Sequence, residues 1–244
     1  MPGRDAASLV GVWERGIDQP PVWRALLLLD SATDPATATP DDDPAALAIG
    51  VRDARLLALR ADLFGPVIEA VARCPECGQD VEFELSGSDL EVEPSPDTGA
   101  LRVEGTTVTV RPVTSADILA VAQLPIEEAS RALAGRCVVD ARAADGSVAR
   151  PETLSETAVS RVSEELARLD PGARIDLALA CPECGSDWVA PFDVVGFLWK
   201  ELDSWARRTL ADVHTLARSY GWAERDILAL HPQRRRHYLE LVRA

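Results

Sequence analysis

The chain has no long apolar run. Nothing in it approaches the ~18 consecutive apolar residues of a membrane-spanning helix, and Ala25 to Leu29 is far too short. Cations are scarce: 25 Lys and Arg against 40 Asp and Glu give a net charge of −15. Such a balance disfavours non-specific attraction to nucleic acid or anionic membrane. Only three histidines occur (His214, His231 and His237), His214 within an Arg/Asp-rich helix and the others flanking a basic turn. No Ser/His/Asp arrangement, glycine-rich phosphate loop or paired-carboxylate constellation accompanies them, so no residue pattern points to an enzyme. No secretory signal peptide is recognisable, and five cysteines are an odd number for a disulfide framework. The expectation is a reducing, cytoplasmic setting. At 244 residues with nearly half of them apolar, the chain can still bury a substantial core.

Four of the five cysteines carry the strongest signal. The pentapeptide Cys-Pro-Glu-Cys-Gly occurs twice, from Cys74 to Gly78 and from Cys181 to Gly185, with 103 residues between Cys77 and Cys181. A two-residue spacer lets both thiolates of a pair reach one metal, and a tetrahedral site needs two such pairs. The glycine after each second cysteine permits the positive φ that turns the backbone away from the metal. Cys74, Cys77, Cys181 and Cys184 are therefore expected to share one structural zinc, as in a zinc ribbon with a long insert. A redox pair would usually appear once, beside a βαβ pattern. Disulfides, an iron–sulfur cluster and unmetallated use are the remaining alternatives. Four thiolates leave no position open for a catalytic water. Cys137, in Leu-Ala-Gly-Arg-Cys-Val-Val, reads as a small buried hydrophobe.

Around these motifs the periodicity changes twice. Helices are expected over Ala6 to Ile17, Val22 to Asp30 and Val51 to Leu63, the last amphipathic with Arg and Asp on its wet side. Ser31 to Pro44 reads as a loop. After the first knuckle, Val81, Phe83 and Leu85 alternate with polar residues, and Leu90-Glu-Val-Glu, Leu101-Arg-Val and Thr107 to Arg111 follow. These suggest a small antiparallel sheet growing out of the ribbon. Thr114-Ser-Ala-Asp117 has the spacing of a capping box, opening a helix to about Ala122. Helices over Ile126 to Cys137 and Pro151 to Leu169 precede a strand, Ile175 to Ala180, that leads into the second knuckle.

A long helix from Val194 to Tyr220 ends at Gly221, suited to a left-handed cap. Two shorter helices, Trp222 to Leu230 and Pro232 to Val242, follow it. A helix-turn-helix reading of this end competes with a packed helical hairpin, and the supply of apolar residues favours the hairpin. The expected fold is α+β and predominantly helical. A zinc ribbon with a small antiparallel sheet is inserted between N-terminal helices (1–72) and a C-terminal helical bundle (194–244), the ribbon region with its helical insert covering 73–193.

The C-terminal third carries a family resemblance. Phe192-Asp-Val-Val-Gly-Phe-Leu-Trp-Lys-Glu-Leu-Asp-Ser-Trp, continuing through Val213-His and Tyr220-Gly-Trp to Leu230, resembles baseplate hub assembly chaperones of T-even-like phages and bacterial contractile injection systems. Arg234-Arg-Arg-His-Tyr-Leu-Glu-Leu also looks like that family. Arg111-Pro-Val-Thr-Ser-Ala-Asp-Ile-Leu-Ala is similar to a part shared with phage hub proteins. Trp13-Glu-Arg-Gly and Arg24-Ala-Leu-Leu-Leu-Leu look like the actinobacterial branch, in which the two knuckles are characteristic. The resemblance implies a non-enzymatic assembly chaperone or hub-associated factor, with baseplate hub or wedge proteins as partners.

For such a factor Trp199, Trp205, Arg234, Arg235 and Arg236 are the candidate partner-binding residues, with Trp188 a further exposed anchor. Two readings compete with it. One is a zinc-ribbon adaptor that binds nucleic acid or transcription machinery through the arginine-rich end. The other is a zinc hydrolase or transferase with an unrecognised site.

Overall fold

The computed structural model describes residues 5–33, 43–90, 96–148 and 155–243. Contacts divide these into two compact units. The first comprises the described residues of Met1–Ala38, Leu56–Val67 and Asp193–Ala244; the second comprises those of Thr39–Arg55 and Ile68–Phe192. No helix among the described residues is long and apolar enough to cross a membrane.

The first unit is helical. Helix α1 (Ala6–Gly16) opens at Asp5, whose carboxylate accepts from the Ala7 amide at 3.2 Å. Helix α2 (Pro21–Ala32) begins with a proline in its first turn, where the missing N–H costs nothing. Helix α3 (Ile49–Phe64) contributes its residues from Leu56 onward to this unit. Helix α7 (Val194–Tyr220) starts at Asp193, which accepts from the Gly196 amide at 2.9 Å, and stops at Gly221 with φ +68°. Short α8 (Glu224–Leu228) and α9 (Pro232–Arg243) fold back on α7 as a packed hairpin. Their Ile227, Leu228 and Leu239 join Val10, Val213 and Leu216 in one buried cluster, with Trp222 and Tyr238 against it.

Among its described residues the second unit holds three small sheets. Strands β1 (Val67–Arg73) and β2 (Asp80–Ser86) pair, and so do β6 (Ile175–Ala180) and β7 (Asp187–Phe192), the latter antiparallel from Ile175↔Phe192 to Ala180↔Asp187. Between them in sequence lie β3 (Gly99–Val103), β4 (Thr106–Val110) and β5 (Val138–Arg142), an antiparallel sheet in the order 3-4-5. Helix α6 (Glu156–Leu169) covers that sheet, burying Val162 and Leu169 against Val103, Val108, Val110 and Ala141. Helices α4 (Ser115–Val121) and α5 (Ile126–Cys137) complete the unit. At the start of α4 the expected capping box is present: Thr114 Oγ1 accepts from the Asp117 amide, and Asp117 accepts from the Thr114 amide at 3.1 Å.

Three expectations need correcting. Among the described residues the sheet does not grow out of the ribbon, because β3–β4–β5 shares no ladder with β1–β2 or β6–β7. Leu90 belongs to a 3₁₀ turn (Gly87–Leu90), and the strand expected from it runs into residues 91–95, outside the described residues. Nor does α3 keep all of its Arg and Asp wet: Arg55 and Asp62 are exposed as expected, but three others are not. Arg52, Asp53 and Arg60 are all buried, Arg52 against Asp53 at 2.7 Å and Ser115 at 3.2 Å. Partners remote in sequence turn what periodicity assigns to solvent into an ion-paired interior. Parts of the expected 31–44 loop and of the helix from Pro151 also lie outside the described residues, α6 being described from Glu156.

Candidate metal centre

Each knuckle forms the turn of a hairpin, Cys74 to Gly78 between β1 and β2, Cys181 to Gly185 between β6 and β7. Their backbones repeat the same hydrogen bonds. Cys74 N–H donates to the Gln79 carbonyl (2.8 Å) and Gly78 N–H to Cys74 (3.0 Å). Cys181 N–H donates to Ser186 (2.9 Å) and Gly185 N–H to Cys181 (2.9 Å). Gly78 and Gly185 have φ of +74° and +72°, the left-handed conformation in which a Cβ would be strained. The sequence repeat is thus a structural repeat, and it exists to aim two thiols from each turn the same way.

The four sulfurs converge. Cys74, Cys77, Cys181 and Cys184 place their Sγ atoms within 4.8 Å of one another. Two close approaches join opposite knuckles: Cys74 to Cys184 at 3.7 Å and Cys77 to Cys181 at 3.6 Å. A tetrahedron with metal–sulfur bonds of about 2.3 Å has edges of about 3.8 Å, so the spacing suits one tetrahedral ion. A disulfide needs about 2.05 Å and does not form here. Cys74 and Cys181 are buried with Val81, Trp188 packs on them, and Cys77 and Cys184 face outward. Trp188 is therefore partly committed to roofing the sulfurs.

Without a cation the cluster resists full ionisation. The Cys77 amide, above all, draws the Cys74 thiol down to about 7. The Ser186 amide favours the Cys184 thiolate, yet desolvation and the other three sulfurs outweigh it and push Cys184 up to about 12. Against the pull of the Gln79 amide, Cys77 is raised by desolvation and by the Cys181 and Cys74 sulfurs. Four thiolates at van der Waals distance repel one another, so a divalent ion is the natural source of compensating charge. The four cysteines can hold a metal ion such as zinc, with no coordination position left over. Cys137 stands apart, fully buried at the end of α5, its thiol pushed up to about 11 by desolvation.

The candidate partner residues are not one surface. Trp199 is 6% exposed and lies in the core of the first unit. Its ring packs so closely on Gly16 that a Cβ there would collide with it, and the Arg24 guanidinium sits 4.7 Å from its centroid. Trp199 is thus a core residue and offers a partner no face. Trp205 is half-buried. Arg234 and Arg236 are exposed, whereas Arg235 turns inward, its side chain 7% exposed and 3.7 Å from Asp212. Helical geometry explains this, since consecutive residues on α9 point about 100° apart. Sequence reasoning missed Arg208 and Arg243, which share a groove with Arg235 and Arg236. No local pattern links α7 to α9 at that distance.

A family model described as T4 bacteriophage base plate protein matches residues 29–199, well over half of the chain. The match includes all four knuckle cysteines and ends early in α7, so residues 200–244 lie beyond it. No curated protein and no solved structure matches the chain.

Proposed function

The chain belongs to the T4 bacteriophage base plate protein family, and from that premise we propose that it is an assembly chaperone or hub-associated factor for the baseplate of a phage-tail-like contractile particle. The observation that carries the reading is the family match across 29–199. Membership places the protein among baseplate components, whose work is adhesion to other subunits. The actinobacterial injection-system branch is the home we assign it, on the resemblance of its ends and on its knuckles. Its partners in this reading are hub or wedge proteins.

The metal has a structural part here. Cys74, Cys77, Cys181 and Cys184 hold one zinc, which joins the β1–β2 turn to the β6–β7 turn across 103 intervening residues. Bound by four thiolates, zinc supplies folding free energy and no Lewis-acid site. The protein therefore acts without catalysis. The adaptor reading is the weaker one, because the arginine run on which it relied is split between surface and interior and the chain carries −15 overall.

Affinity purification of the tagged chain from cells making the whole particle tests the proposal. Hub or wedge proteins should co-purify, and a deletion strain should stall before baseplates form. The composition of finished particles separates a chaperone, which is absent, from a hub-associated subunit, which is present. Co-purification of no baseplate protein would sink both.

A further inference from the structure

The geometry points to a carboxylate-binding groove between α7 and α9, built around the buried guanidinium of Arg235, which receives an acidic segment of a partner protein. The groove has a volume of about 650 Å³ and is lined from α7 by Trp205, Arg208 and Asp212 and from α9 by Arg235, Arg236 and Arg243. Four arginines thus face Asp212 and Glu240 in one concavity, a cationic site on a chain with a net charge of −15.

Arg235 is the unusual member. Its side chain is 7% exposed, and its Nη1 is buried with no hydrogen-bond partner among the described residues. Its ion-pair partner among the described residues, Asp212, approaches Nε only to 3.7 Å, beyond a hydrogen bond. Arginines are buried with such a deficit at a cost, since a guanidinium carries five donors and an unmet one forfeits its solvation. Packing alone would be served better by an apolar side chain of similar volume. A second carboxylate supplies what is missing once the Arg235 side chain turns toward the groove, because its two oxygens match the fork of a guanidinium in plane and spacing.

Charge argues for the same occupant. Burial leaves the Asp212 carboxyl raised on balance, against the opposing pull of Arg235, Arg243 and Arg236, so one acid is shared among several guanidinium groups. Positive potential is left over for an incoming anion. An acidic peptide approaching this protein is repelled by most of its surface, and the groove is where attraction survives. Trp205 at the rim provides an aromatic wall of the kind that anchors interfaces. That the acidic segment belongs to a baseplate component rests on the function proposed above; the site itself does not depend on it.

A test on the full-length, metal-loaded chain separates the two. Fluorescein-labelled hexaglutamate is titrated by anisotropy, with hexaglutamine and inorganic phosphate as competitors. The expected result is saturable binding that weakens as salt rises and resists hexaglutamine. Arg235→Met should weaken it at least about tenfold, the loss expected for a charged hydrogen bond, while its melting temperature holds or rises. Arg234→Gln, on the exposed side of α9, should leave binding within about twofold, as for a screened surface charge. If Arg235→Met fails to fold, the double variant Arg236→Gln/Arg243→Gln must show the tenfold loss instead. Absence of saturable binding overturns the groove, as does equal weakening by Arg234→Gln. Displacement by phosphate as effective as by unlabelled hexaglutamate overturns the carboxylate assignment. Peptide binding without baseplate co-purification leaves the groove standing and removes only the named partner.

Discussion

Arg60 and Glu201, 141 residues apart, form a two-pronged ion pair, with Nε to Oε2 at 2.8 Å and Nη2 to Oε1 at 2.6 Å. The remaining nitrogen, Nη1, donates to the carbonyls of Gly65 (2.7 Å) and Val67 (2.6 Å). One buried arginine on α3 thereby fixes α7 and also the chain as it leaves α3. With every prong satisfied, it is the counter-example to Arg235. Removing it leaves two carbonyls and a carboxylate without partners.

Arg60→Ala is expected to destabilise the fold by about 3–5 kcal/mol, the range for breaking a buried pair from one side. Glu201→Gln, which keeps the shape and loses the charge, should cost less, about 1–2 kcal/mol. Glu201 is about a quarter exposed, which favours the smaller figure. Denaturant unfolding of both variants checks this. A loss below 1 kcal/mol for Arg60→Ala would mean that water replaces the arginine without strain.

Acid stability should depend on Asp117. Its side chain is 1% exposed and accepts from Arg111 at 2.6 and 3.0 Å and from Arg136 at 3.0 Å. Desolvation alone would raise its carboxyl, but Arg111, Thr114 and the backbone of Thr114 reverse this and hold it at about 2, against an ordinary 3.8. A depressed folded value means the stabilisation is complete above the unfolded value and disappears as pH falls through the folded one. The window is therefore pH 4 to 2, and about 2 kcal/mol is at stake. Asp117→Asn should lower stability at pH 7 and flatten the fall in stability between pH 4 and 2. An unchanged acid slope in the variant would assign that fall to other carboxylates.

Gly16 should not tolerate a side chain. It is the last residue of α1, and an added Cβ would meet the six-membered ring of Trp199. The Arg24 guanidinium also packs on the ring, 4.7 Å from its centroid, and donates to the Gly16 carbonyl at 3.0 Å. Gly16→Ala is expected to cost about 1–3 kcal/mol by overpacking, outweighing any gain in helix propensity. Thermal melting, with Gly11→Ala as an uncrowded control, decides it.

What was legible in the sequence was what depends on local spacing. The knuckles, the Thr114–Asp117 capping box, the span of α7 and its glycine stop are all set by residues within a few positions of each other. The meeting of the two knuckles was inferable because either pair alone is an incomplete ligand set. Strand β1 was not foreseen. Its outward positions include Val67 and Val71, 50% and 61% exposed, so no alternation of apolar and polar residues marks it. Strand β5 follows Cys137 of α5 directly, without a turn residue to announce it. Arg60, Arg235 and Trp199 were misjudged for one shared reason. A charged or aromatic residue on a helix is sorted by its tertiary partners, here Glu201, Asp212 and Gly16, and periodicity does not report those.

The metal site yields the sharpest prediction. Purified chain should contain one zinc, because the four sulfurs lie in a single cluster within 4.8 Å and each knuckle alone provides only two ligands. Cys77→Ser and Cys184→Ser alter outward-facing thiols, so neither opens a cavity in the interior, and any loss of stability reports the metal. Each should abolish stoichiometric zinc and lower the melting temperature. Cys137→Ser, remote from the cluster, should leave zinc at one per chain. A chelator should lower the wild-type melting temperature toward that of Cys77→Ser without affecting the variant further. Acid should release the metal, since thiolate ligands compete with protons. Elemental analysis finding no metal, or two ions per chain, would refute a shared four-cysteine site. Equal melting temperatures with and without zinc would refute its structural role.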